Sequence, residues 1–146
     1  MSKKPVAELS AQLPELLPGQ SIELLKALHI LTREGKLNQD TRRKLKQVYH
    51  LVQFIEPLLA EVLAARGDVN LADHGAGKSY LGFILYDLFF KSKTVGRVIG
   101  VETRAELVEK SRALANKLGF ERKDFLATTV QEALTHPGLP ARIDVV

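Results

Sequence analysis

Cysteine is absent from the 146 residues, which removes disulfides, thiolate metal sites and a cysteine nucleophile. Aromatic residues make up only 6% of the chain. The four histidines (His29, His50, His74 and His136) are scattered, with no metal-ligand spacing. No apolar run approaches the ~18–20 residues of a membrane span, so no membrane partner is expected. The N-terminus, Met-Ser-Lys-Lys-Pro, leads into Glu8 without the apolar segment of a signal peptide. A reducing cytoplasm is the default compartment. What is present suits a soluble α/β domain: 45% hydrophobic and 26% charged residues, enough to bury a core without staples. The final stretch, Ala141-Arg142-Ile143-Asp144-Val145-Val146, has the pattern of a buried strand just opening. Chain ends usually lie at the surface, so the expectation is a truncated chain.

Acidic residues do not balance the basic ones. The net charge is +4, and residues 1–66 hold 10 Lys/Arg against 7 Asp/Glu. The densest basic cluster is Arg42, Arg43, Lys44 and Lys46, with no acid between Asp40 and Glu56. A basic helical face can meet phosphate backbones, here of RNA. A solvated helix surface is the plainer reading, because no aromatic stacking platform accompanies the cluster.

Apolar spacing divides the chain in two. Residues 1–66 read as a helical region and residues 67–146 as alternating strands and helices. In the first part, Ile22, Leu25, Leu28, Ile30 and Leu31 predict a helix over 21–34 that stops at Gly35. A second helix, capped by Asn38 or Asp40, carries Leu45, Val48, Val52, Ile55, Leu59 and Val62 at helical spacing. Pro57 is expected to kink or split it near Glu56, and Gly67 to end it. In the second part, strands are expected over 69–73, 97–101 and 125–130, with a fourth from Ile143. Helices are expected over 78–90 and 105–118, with a helical turn at 131–135. Such βα alternation implies a Rossmann-like parallel sheet, with its first four strands in the order 3-2-1-4.

The chemistry is concentrated in Asp73-His74-Gly75-Ala76-Gly77-Lys78-Ser79-Tyr80, between the first strand and its helix. A Walker loop would need Gly-x4-Gly-Lys-Ser/Thr, and Ala72 stands at its first glycine. The span Ala72–Ser79 is therefore only a relaxed match, and it places Asp73 inside the anion nest. The apolar run Val98–Glu102 ends in an acid and leaves a Walker B residue open. A dinucleotide fingerprint would need glycine where Tyr80 stands. The third chemistry is a nucleoside cofactor without diphosphate, S-adenosylmethionine. Asp73 closes strand one, Gly75 and Gly77 let backbone approach a ligand, and Glu102 closes strand two, where it can accept both ribose hydroxyls. A carboxylate suits a ligand carrying an ammonium and a sulfonium. Beside these stand the plainer readings of a tight turn at the glycines, a solvated acid at Glu102 and a turn residue at His74.

These residues resemble motif I of the class I S-adenosylmethionine-dependent methyltransferases. They are most similar to the branch reading Asp-x-Gly-x-Gly-Lys-Gly-Tyr-Leu, which includes bacterial methyltransferases, eukaryotic methyltransferase-like proteins and a tRNA methyltransferase. The helix from Lys44 through Phe54 to Pro57 resembles that branch's Lys-rich lead-in, and Ser79 departs from its pattern. The resemblance covers roughly residues 40–146. It implies Asp73, Gly75 and Gly77 at the methionine end of the cofactor, Glu102 at the ribose, and Thr129 and Val130 beside the adenine. It names no catalytic residue and no metal. The substrate-facing residues of that family follow strand four, so the chain is expected to be the cofactor-binding half of a methyltransferase. RNA is the acceptor the charge favours. An open sheet edge would allow self-association. A P-loop nucleotide-binding protein and a non-catalytic nucleic-acid-binding module are the competing expectations.

Overall fold

The computed structural model describes residues 16–17, 19–78, 80–137 and 143, and for Val130 the backbone alone. The expected fourth strand from Ile143, the start of the N-terminal region and Ser79 fall outside this set.

Helix α1 spans Ile22–Ala27. Ser21 caps it, its side chain accepting from Leu24 N–H at 3.1 Å. The helix stops seven residues short of the expected Glu34. His29 takes a left-handed conformation (φ 60°), and Ile30 and Leu31 both donate back to the Leu25 carbonyl. Leu28, Ile30 and Leu31 stay buried as the chain turns, so apolar spacing alone mimicked a longer helix. Gly35 (φ 78°) serves the following Thr32–Lys36 turn instead of a helix end.

Helix α2 spans Gln39–Arg66 and is not split. Asn38 and Thr41 cap it reciprocally, and Gly67 (φ 76°) closes it. Pro57 is tolerated because it lies on the exposed side, where the carbonyl it leaves unpaired can meet water. Leu45, Val48, Val52 and Leu59 face the core, and Tyr49 donates its hydroxyl hydrogen to Gln20. Folded, this is a helix of 28 residues with an 18-residue window of mean hydropathy 1.3, long and apolar enough to cross a membrane. Scattered polar residues interrupt its sequence, so no unbroken apolar run of that length marks it. Here one side of the helix is part of the core.

Among the described residues three strands follow: β1 (Asn70–His74), β2 (Arg97–Glu102) and β3 (Lys123–Ala127). All pairings are parallel, in the order β1-β2-β3. This is the 3-2-1 part of the expected order, counted from the other edge. Helix α3 (Tyr80–Leu85) continues into a π-helical turn, Tyr86–Phe90. Helix α4 spans Ala105–Leu118 and ends at Gly119, as its spacing predicts. A short helix α5 covers Val130–Ala133. The third strand starts two residues before the expected Phe125 and ends before Val130. Lys123 and Asp124 look like loop residues in sequence but pair with Val98 and Ile99 of β2.

One contiguous core runs from Leu16 to Phe125 and joins α1, α2 and α3 to the sheet. The Arg122 guanidinium gathers the 90–96 loop by donating to the carbonyls of Phe90, Lys93, Val95 and Gly96. Buried Asp87 accepts from Ser21 N–H at 2.7 Å and from Lys91 at 2.5 Å, which fastens the start of α1 to the π-turn.

Candidate active site

In open parallel sheets, ligands sit at the carboxyl ends of the strands. Here those ends carry Asp73 and His74 on β1, Glu102 on β2 and Ala127 on β3. The turn after β1 is pinned to its neighbour, because Ala76 N–H donates to the Val101 carbonyl at 3.0 Å. Gly75 (φ 65°) and Gly77 (φ 57°) both take left-handed conformations that other residues resist. A side chain at Gly75 would meet open space, whereas one at Gly77 would lie 3.6 Å from Arg104 Nη2.

Glu102 is the hub. Its carboxylate is 7% exposed, and Oε1 accepts from Gly77 N–H at 3.0 Å. Oε2 accepts from the Arg104 backbone N–H at 2.9 Å and from Arg104 Nε at 2.8 Å. These donors, the Arg104 guanidinium foremost, hold the carboxyl pKa down to about 2, against the burial that would raise it. A depressed folded value stabilises the native state above the ordinary carboxylate range and loses that contribution as pH falls toward 2. Asp73 behaves in the opposite way. Burial raises its pKa, with Lys123 and His74 opposing. On acidification Asp73 therefore loses its charge before Glu102.

Two further expected residues lie past β3. Thr129 is exposed and caps α5, its hydroxyl accepting from Glu132 N–H at 3.1 Å. Val130 begins that helix. The preceding Thr128 N–H donates to the Glu102 carbonyl at 3.0 Å, so this loop is tied to the same strand end. Thr128 Oγ1 also lies 3.1 Å from Glu132 Oε2, which places a carboxylate near the loop. The structure thus gathers Asp73, Gly75, Gly77 and Glu102 around one turn and joins Thr129 to them through Thr128. Sequence reasoning missed Arg104, Thr128 and Glu132. A cation two residues after the strand-end acid was the available signal for Arg104.

The relaxed Walker match does not fit this geometry. Ala72, its would-be first residue, is buried inside β1 and pairs with Ile99, so no loop begins there. The basic cluster sits on the first turns of α2, with Arg42, Arg43, Lys44 and Lys46 exposed. Lys44 Nζ lies 4.6 Å from the Tyr80 ring centroid and so links the cluster to the start of α3.

Comparison with known proteins assigns the class. The family described as "Methyltransferase domain" matches residues 43–146, and the chain belongs to that family. Among solved structures, the chain is similar to the C-terminal domain of precorrin-6Y C5,15-methyltransferase from Rhodobacter capsulatus. That match has 26% identity and a TM-score of 0.40, covering 57% of this chain and 45% of that one. It is also similar in fold to WbdD crystallised with a kinase inhibitor, at 18% identity and TM-score 0.50, over 92% of this chain and 27% of that one. No curated protein matches the sequence. The chain spans less than half the length of these solved structures.

Proposed function

We propose that this chain forms the S-adenosylmethionine site of a methyltransferase. The observation that carries the reading is Glu102: a buried, ionised carboxylate at the end of β2, bonded to the glycine turn that follows β1. The residues present fit the cofactor. Glu102 has the charge to accept two ribose hydroxyls, Gly75 leaves open space for close approach, and Asp73 offers an anion to an ammonium. When bound, the cofactor supplies an activated methyl group on a sulfonium, open to in-line displacement. This chain's residues bind and orient it. Gly77 is fixed by its bond to Glu102, and Arg104 holds that carboxylate ionised, in the state that would accept hydroxyls.

Isothermal calorimetry with S-adenosylmethionine, S-adenosylhomocysteine and Mg-ATP tests this directly. The two sulfur nucleosides should bind and ATP should not, because Asp73 and Glu102 repel a triphosphate. Binding of ATP alone sinks the proposal.

RNA is the acceptor favoured by the exposed cations on the first turns of α2. Its affinity should fall steeply as salt rises, with Arg43→Glu and Lys46→Glu weakening binding and flattening the salt dependence. An RNA affinity indifferent to salt would remove phosphate contacts from this reading.

A further inference from the structure

An amine buried without an acceptor is costly, so each instance calls for a physical reason. Lys123 opens β3, is 4% exposed, and its Nζ has no hydrogen-bond partner among the described residues. Strand alternation puts Lys123 and Phe125 on one face, and parallel register aligns them there with Val98 and Gly100 of β2 and Leu71 and Asp73 of β1. Along that face the amine lies 3.9 Å from the Phe125 ring centroid and 5.3 Å from that of Phe83. Gly100 leaves the route open. A Cβ there would stand 3.3 Å from Nζ and 3.0 Å from the Phe125 ring. Gly100 is the direct Cα partner of Asp73. The sheet therefore delivers a cationic head beneath the strand pair that carries Asp73, one residue before the end of β1.

We propose that Lys123 is a positioning residue, whose amine, passed through the gap at Gly100, is the counter-charge that keeps Asp73 ionised at the cofactor site. The inference rests on the reading that Asp73 meets the cofactor's ammonium end. Lys123 touches no ligand and acts only through Asp73.

The charges around it support this assignment. Burial pushes Asp73 up and Lys123 pulls it back. Burial also brings the Lys123 amine down to about 7, with Asp73 and then Asp124 opposing. The amine is thus charged over the acid range in which a carboxylate titrates. Asp124 alternates to the other face and lies 3.8 Å from Arg97. His74 adds a smaller pull on Asp73. From α4, Arg112 donates to the Phe125 carbonyl at 3.0 Å, and Arg122 is held by the 90–96 carbonyls. Among the described residues of the sheet, Asp73 is left as the acid sharing the amine's face.

Lys123→Met in the full chain tests the proposal through the carbon-13 titration of the Asp73 carboxyl, recorded without cofactor. The midpoint should rise by about one pH unit. The acid limb of S-adenosylmethionine affinity should rise with it, while affinity at pH 8 stays within about threefold, since a difference of that size is under one pKa unit's worth of interaction. A folded variant with an unmoved Asp73 midpoint overturns the proposal. So does a uniform loss of affinity at every pH, which marks a purely structural lysine. Should the variant not fold, Asp73→Asn reads the same coupling in reverse. The Lys123 amine should then titrate lower by a matching shift, and no shift overturns the assignment. A wild-type chain that binds no S-adenosylmethionine would sink the proposed cofactor site, while the carboxyl titration would still decide the role of Lys123.

Discussion

Glu102→Ala should weaken S-adenosylmethionine binding by ~100-fold or more, since two hydroxyl bonds to a charged acceptor are each worth about 1.5–3 kcal/mol. One further loss adds to this: Gly77 N–H loses its acceptor, so the turn is no longer fixed to β2. Arg104 is 59% exposed, so its own pairing contributes little to the fold. Glu102→Gln keeps the shape and one acceptor oxygen and should fall between, at roughly tenfold weaker binding. Calorimetry on the three proteins gives the ordering. An alanine variant within threefold of wild type would remove Glu102 from the cofactor site.

Phe83→Ala is expected to cost about 3–5 kcal/mol of stability by urea unfolding. Phe83 is fully buried, with its centroid 6.3 Å from Phe120 and 5.7 Å from Phe125. It joins α3 to the third strand and to the turn before it, so its removal leaves a cavity between layers that cannot close without moving the sheet. The same ring lies over the Lys123 amine, whose burial already opposes folding. Unfolding free energies within about 1 kcal/mol of each other would mean that the helix layer repacks freely.

The regular parts of this fold were legible because their patterns were redundant. Helix α4 combined amphipathic spacing with a glycine stop, and both ends fall where the sequence places them. Glu102 was legible because an apolar strand must end somewhere, and it ended in an acid one helix past the glycine turn. Other features lacked a signal of that kind. Ile30 and Leu31 are apolar at helical spacing, yet a left-handed His29 turns the chain before them. The residues from Tyr86 to Phe90 are almost wholly apolar, so no period distinguishes a π-turn from an α-helix. Lys123 looked like a loop lysine, because only three-strand register shows that its stem runs under a glycine. The relaxed Walker match failed for a related reason: spacing cannot tell a residue inside a strand from one at its end.

The Asp87 clasp bears on how the chain assembles. Its bond to Ser21 N–H closes a loop of 66 residues, and Lys91 reaches the Gly19 carbonyl across an even longer span, at 3.2 Å. Long loops close late, since their ordering entropy is met before any contact repays it. Neither latch can form until the π-turn presents Asp87 and Lys91 on one side, four residues apart. Helix α1 is therefore expected to be the last of the described helices to lock. Its timing is set by an irregular turn in the middle of the chain more than by the residues of the helix itself.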